Sequence, residues 1–222
     1  ITVGDNIKLN VRLVDCVGYL VNNAIGYLED EMPRMVKTPW SDEEMPFEQA
    51  AEIGTKKVIQ EHSTIGILVT TDGSVTDIPR EDYIEAEERV VRELQELNKP
   101  FIIVLNSAEP YSDYTQSLAA KLQEKYSTQV IPTDCENLTN ENIDEIFGKV
   151  LYEFPVEQMN INFPRWVDGL PDDHWLKEEI CDEIKNAFKD VTILKQVDGG
   201  ISKLQNTEVI QTTVINLSLI HI

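Results

Sequence analysis

The chain has 222 residues, about one and a half ordinary domains, and its 19 basic against 40 acidic residues leave a formal charge of −21. So large an acidic excess repels nucleic-acid backbones and anionic lipid surfaces, while 41% hydrophobic residues are too many for a disordered acidic tail. The longest apolar runs, such as residues 101–105, are five residues, far short of the roughly 18 that a membrane span needs.

Residues 1–3 and 7–14 flank the turn triplet Gly4-Asp5-Asn6 and predict a hairpin. The second arm alternates at first and then becomes continuously apolar, as a strand entering a sheet interior does. Residues 18–46 read as irregular and acidic. From Phe47 a helical face follows through Ala50, Ala51, Gly54 and Val58. Residues 64–71 predict a strand ending in the turn Asp72-Gly73. Ile84, Val91, Leu94 and Asn98 then mark a helix whose exposed side pairs Glu85 with Arg89 and Glu88 with Arg92. Residues 101–105 and 128–131 predict strands, and 114–126 and 141–154 predict helices.

Apolar strands separated by amphipathic helices predict parallel pairing with right-handed crossovers, an α/β doubly wound, mostly parallel sheet. After Pro155 the rhythm changes: 156–163 reads as extended, 164–173 as a linker and 175–194 as one helix with Leu176, Ile180, Ile184, Phe188 and Val191 along its stripe. The expected organisation is a first domain over 1–154 and the start of a second α/β or α+β domain over 155–216. The last six residues, 217–222, match the translation of a transposon end used as a sequencing adapter, so His221 receives no role.

Cys16, Cys135 and Cys181 are far apart and form no CxxC, which argues against a disulfide or zinc scaffold and fits a reducing compartment. The chain opens on Ile1 with no signal or transit pattern, which reads as a cytosolic protein, a fragment, or both.

The sharpest chemical signal is Asp15-Cys16-Val17-Gly18 after an apolar run. In phosphate-loop nucleotide triphosphatases an aspartate here holds Mg2+, and the glycine three residues on brings its backbone N–H to the γ-phosphate. The second signal is Asn106-Ser107-Ala108-Glu109 at the end of another apolar strand, where GTPases carry Asn-Lys-x-Asp for the guanine base. The lysine is replaced by Ser107, and Glu109 is one carbon longer than the aspartate, so adenine becomes the expected base. Asp15 is thus the candidate metal ligand, and Gly18, Asn106 and Ser107 the candidate nucleotide-binding residues. No GxxxxGK[ST] occurs in these residues, so a phosphate-binding loop and its central strand are expected upstream of Ile1.

At residues 11–19, Val-Arg-Leu-Val-Asp-Cys-Val-Gly-Tyr, the sequence closely resembles the stage IV sporulation protein A family of endospore-forming bacteria. The resemblance continues through 33–35, 38–40, 50–55, 58–66, 70–73, 83–90, 99–101, 106–107, 152–155 and 174–176. It implies a GTPase-like fold that uses ATP with Mg2+, with hydrolysis driving polymerisation into the basement layer of the spore coat. It further implies a cytoplasmic protein of the mother cell, peripheral at the outer forespore membrane. Its partners would be other copies of itself, a small amphipathic membrane-anchor peptide and other coat morphogenetic proteins. The regions that contact the last two are absent here. Asp15 corresponds to the Walker B aspartate, and Gly18 and Asn106 match their family positions. Tyr19 stands where many GTPases place a water-orienting glutamine; a phenol positions water less well, so hydrolysis is expected to be slow.

His62, between a helix and a strand, reads as a capping or surface residue, and His174 as incidental to a helix start. Cys16 lacks a neighbouring base. Residues 29–52 hold eight acids and read as a solvated loop or a docking surface for a basic partner or the next subunit, with Thr38-Pro39-Trp40 its most interaction-prone part. Two readings of a different kind remain beside the ATPase: a non-catalytic scaffold on the same fold, and a translation-type GTPase, which Ser107 and Glu109 disfavour.

Overall fold

Apolar strands flanked by helices form the centre of the computed structural model, which describes residues 2, 3, 7, 8, 11–24, 26–29, 32–39, 41–206, 209 and 212. The chain divides into two compact units, residues 1–150 and 151–222.

The first unit opens with the predicted hairpin, β1 (Thr2–Val3) antiparallel to β2 (Ile7–Lys8). The second arm stops there among the described residues. Residues 11–14 were expected to continue the strand into an interior, yet they are irregular, and Val11, Leu13 and Val14 are exposed. A strand needs a ladder partner, and none of the described strands pairs with this segment. The acidic stretch expected to be irregular instead forms two small ribbons. One is β3 (Leu28–Glu29) with β4 (Met32–Pro33), the other β5 (Met35–Thr38) with β6 (Ser41–Pro46). Trp40 lies outside the described residues.

Helix α1 (Phe47–Lys57) runs into a wider turn over Val58–His62. Its buried stripe is Ala51, Thr55 and Ile59, with Ala50 beside it, so the face is rotated from the predicted one. Lys99 closes this end by donating from Nζ to the carbonyls of Ile59 (2.5 Å), Gln60 (3.0 Å) and Ser63 (2.6 Å). A cation on the last carbonyls of a helix answers both its unpaired acceptors and its dipole. His62 is exposed at this turn, as a surface histidine should be.

The sheet proper is β7 (Gly66–Thr71), β8 (Phe101–Asn106) and β9 (Val130–Thr133), in that order and parallel throughout. Helices α2 (Ile84–Glu96), α3 (Asp113–Tyr126) and α4 (Asn140–Tyr152) follow the three strands in turn. All of Phe101, Ile102, Ile103, Val104 and Leu105 are buried. Because alternate side chains leave a strand on opposite faces, β8 is covered on both, which is why its sequence is apolar without alternation. One face packs Phe101, Ile103 and Leu105 with Val91 and Leu94 of α2, Ala119, Leu122 and Tyr126 of α3, and Val130. The outer edge of β7 has no strand beside it among the described residues, and Val69 there is 59% exposed.

The predicted partners on α2 are exchanged for others, one along the helix and two on neighbouring helices. Arg89 pairs with Glu52 of α1 and lies 3.5 Å from Glu93, and Glu88 pairs with Lys125 at 2.6 Å.

In the second unit the expected extended segment makes one bridge, Pro155 with Ile193. The expected linker contains the short helix α5 (Arg165–Asp168), and the long helix ends early as α6 (Trp175–Phe188). A 3-10 turn at Leu194–Gln196 leads to α7 (Val197–Ile201). His174 has a definite task that the sequence reading missed. Its Nδ1 accepts from Leu176 N–H (3.2 Å), capping α6, and its ring stacks on Trp175. Residues 217–222, including His221, lie outside the described residues.

Candidate functional site

In open α/β sheets ligands gather where parallel strands end at their carboxyl side. Here Asp72, Asn106 and Asp134 follow or close β7, β8 and β9 at that side. The Asp72 carboxylate is the hub. Its Oδ1 accepts from Ser74 N–H (2.9 Å) and Ser74 Oγ (2.5 Å), and its Oδ2 accepts from Thr115 Oγ1 (2.8 Å) at the start of α3. Burial pushes its pKa up, but hydrogen bonds from Ser107, Ser74 and Thr115 outweigh this and hold it below the usual value. Gly73, at φ +91°, lets the chain turn there, and a Cβ would lie 3.1 Å from Arg80 N.

The Asn106 loop is locked to this hub. Ser74 Oγ accepts from Ala108 N–H (2.9 Å), and Asp72 N–H reaches Asn106 O (3.3 Å). Ser107 is fully buried, its hydroxyl 3.2 Å from Thr115 Oγ1 and accepting from Glu109 N–H at 3.0 Å. Ser107 therefore holds the loop together from inside, and its side chain is not presented to a ligand. Asn106 is half-buried and its Oδ1 accepts from Cys135 N–H (3.0 Å), which fixes the carboxamide with its Nδ2 hydrogens free to donate. Burial and Asp134 push the Cys135 thiol up, away from reactivity.

The other half of the predicted pair lies apart from this cluster. Asp15 is exposed on the irregular segment and has no hydrogen bond or ion pair among the described residues. Gly18 adopts φ +81° with open space where a Cβ would stand, so conformation rather than crowding selects glycine in this arrangement. Tyr19 is buried. Its hydroxyl donates to Glu93 Oε2, and the Arg89 guanidinium lies over its ring, 3.9 Å from the centroid. Burial, then the Glu93 carboxylate, pushes the phenol well above its ordinary value. Farther on, Asn22 N–H reaches Asp82 O (3.4 Å) and Asn23 Nδ2 reaches Asp82 Oδ2 (2.8 Å). Asp82 precedes α2 and Glu93 lies near its far end, roughly 13 Å of α-helix rise beyond Ile84. The chain from Tyr19 onward thus climbs α2 toward the strand ends, and Asp15 precedes the lower end. The structure does not bring Asp15 and Gly18 to Asn106.

The donor set nevertheless suits a magnesium nucleotide in two places. Mg2+ takes one or two carboxylates plus phosphates and keeps much of its water, and the Asp15 carboxylate has no partner among the described residues. A purine N7 is an acceptor, and Asn106 Nδ2 is a donor held in one orientation by Cys135. The Asp72 hub was legible only as a turn, because its partners Ser107 and Thr115 lie 35 and more residues away. A second buried set was missed altogether. Arg80 donates to Glu87 Oε2 (2.6 Å) and Thr70 Oγ1 (3.3 Å), and Tyr126 OH donates to Glu87 Oε1 (2.8 Å). Burial, opposed by Lys125 and helped by Glu87, pushes Tyr126 up to about 12. Among the described residues no helix is long and apolar enough to cross a membrane.

Comparison with known proteins gives this chain its place. Residues 1–155 match the family model described as stage IV sporulation protein A, ATPase domain, and residues 156–220 match that of the middle domain. The chain is 47% identical over 210 residues to stage IV sporulation protein A of Bacillus subtilis (strain 168), covering 95% of this chain and 43% of that one. It is 47% identical over 213 residues to the Clostridioides difficile (strain 630) protein of that name, covering 96% and 43%. The Bacillus anthracis protein is 46% identical over 210 residues, covering 95% and 43%. The chain therefore spans less than half the length of these relatives. No solved structure matches it. From its first described strand to its last helix, this chain belongs to the stage IV sporulation protein A family.

Proposed function

We propose that the protein containing this chain is a magnesium-dependent ATPase that polymerises on the forespore surface as the basement layer of the spore coat. The ATPase-domain match over 1–155 carries this reading. Its fold would be that of phosphate-loop nucleotide triphosphatases, a doubly wound sheet whose described part is β7, β8 and β9. The nucleotide-bearing domain would end near Pro155, close to the division after Val150 and at the change of family model.

Bound Mg2+ supplies charge neutralisation at the phosphates. The chain's own residues then have separate tasks. Asp15 offers a free carboxylate to the metal's water shell. Gly18 presents a backbone N–H without side-chain hindrance. Asn106 Nδ2 donates to the purine N7, and Ser107 keeps the Asn106 loop in shape from within. Tyr19 would orient the attacking water only after leaving Glu93, which adds a conformational step to a group already poorly suited to the role. Slow turnover follows, and slow turnover suits an assembly switch. In these 222 residues alone Asp15 and Asn106 stand apart, so this stretch by itself should bind Mg·ATP weakly; submicromolar affinity by calorimetry would contradict that.

The proposed setting is the mother-cell side of the outer forespore membrane, with other copies of the protein as the principal partner. A small amphipathic anchor peptide and other coat proteins would engage regions outside this chain. The internal capture of Tyr19 by Glu93 and Arg89 favours one alternative, a scaffold that assembles without hydrolysis. Assembly of the intact protein, followed by sedimentation with ATP or with a non-hydrolysable analogue, separates the two. The ATPase reading expects pelleting with ATP alone, and the scaffold reading expects it with both or with neither nucleotide.

A further inference from the structure

Around Asn106 the backbone donors are occupied while the acidic side chains are left open. Ser107 N–H donates to Thr133 O (3.0 Å), Ala108 N–H to Ser74 Oγ (2.9 Å) and Glu109 N–H to Ser107 Oγ (3.0 Å). Across from them, Cys135 N–H donates to Asn106 Oδ1 (3.0 Å), and the N–H groups of Glu136 and Asn137 both donate to Asp134 Oδ1 (3.0 and 3.2 Å). Asn137 Nδ2 closes the same turn on Asp134 Oδ2 (2.8 Å). The carboxylates of Glu109 and Glu136 are exposed and without partners among the described residues.

This asymmetry bears on the two purines differently. Both offer N7 as an acceptor, so Asn106 Nδ2 serves either. At position 6 adenine carries an amino donor and guanine a carbonyl acceptor. A carbonyl brought to this rim would find every neighbouring N–H from Ser107 to Glu109 and from Cys135 to Asn137 already bonded, with carboxylates nearby. Removing a carbonyl from water without a replacement donor is unfavourable, whereas an amino group there meets acceptors.

We infer that the loop over residues 134–137 is the element that discriminates against 6-oxopurines, with Asp134 as its positioning residue. The inference rests on the ATPase reading above and adds the cause of its base preference. Asp134 acts by withholding the N–H groups of Glu136 and Asn137, as Ser107 does for that of Glu109.

The test compares ATP with inosine triphosphate, which exchanges the 6-amino group for a carbonyl and N1 for N1–H without adding guanine's 2-amino group, using the intact protein. The expected wild-type KM for inosine triphosphate exceeds that for ATP by about tenfold or more. Asp134→Ala, which releases two N–H groups at a solvent-facing turn, should reduce this KM ratio about tenfold while the ratio of kcat values stays put. Asp134→Asn retains an accepting Oδ1 and should restore the wild-type ratio. A KM ratio within twofold of wild type in Asp134→Ala, or a wild-type protein that handles both nucleotides alike, overturns the inference while leaving the ATPase reading intact. No turnover of either nucleotide by the wild type would refute the ATPase reading itself, and the inference with it.

Discussion

Tyr19 is the residue at which sequence and structure diverge most usefully. Its position after Gly18 was readable from spacing, but its hydroxyl bonded to Glu93 and its ring under Arg89 depend on contacts 70 and more residues away. Tyr19→Phe keeps the ring and removes the one proton that could orient water. With this variant kcat for ATP should fall about tenfold in the intact protein with KM within twofold. An unchanged kcat would make Tyr19 a packing residue and nothing more. Asn106 was legible because a polar residue ending an apolar strand stands out. The inward turn of Ser107 was not, because burial of a hydroxyl depends on Thr115 and Asp72, which no local pattern couples to it.

At the scale of elements, two polar sets tie strands to helices where an apolar contact would ordinarily suffice. The Arg80–Glu87 pair is almost fully buried and joins the segment before α2 to α2 itself, with Thr70 of β7 and Tyr126 of α3 completing it. Removing the charge from one partner leaves the other uncompensated in a low-dielectric site. Glu87→Gln should therefore lower the unfolding free energy by about 3 kcal/mol in urea titration; a change under about 1 kcal/mol would show the pair to be dispensable. Asp72 gives a pH signature. Its folded-state pKa lies below its unfolded one, so its contribution is present above about pH 4 and is lost as pH falls through the folded value. The stability gap between wild type and Asp72→Asn should hence be widest near pH 6 and close toward pH 3. A gap independent of pH would mean that the carboxylate's charge does not matter.

A continuous apolar run over residues 101–105 made β8 readable. Residues 11–14 are apolar apart from Arg12 and yet form no strand here. Their apolar side chains, like the outer edge of β7, lack a neighbouring strand among the described residues. Propensity says what a segment can form; a ladder partner decides whether it does. The ribbons at residues 28–46 were missed for the opposite reason, since their acidic, Pro-containing strands bury little and carry no apolar alternation.

For the whole molecule, the ATPase-domain match supports the proposed reading of a nucleotide-driven assembly protein, and in that reading Asp15 is the residue on which hydrolysis turns. The most direct measurement is phosphate release from ATP by the intact protein and by its Asp15→Ala variant, with and without Mg2+, and with GTP in parallel. The expected result is slow, Mg2+-dependent hydrolysis of ATP in preference to GTP, reduced at least about a hundredfold by the substitution. Hydrolysis that survives Asp15→Ala, or none in the wild type, would contradict it.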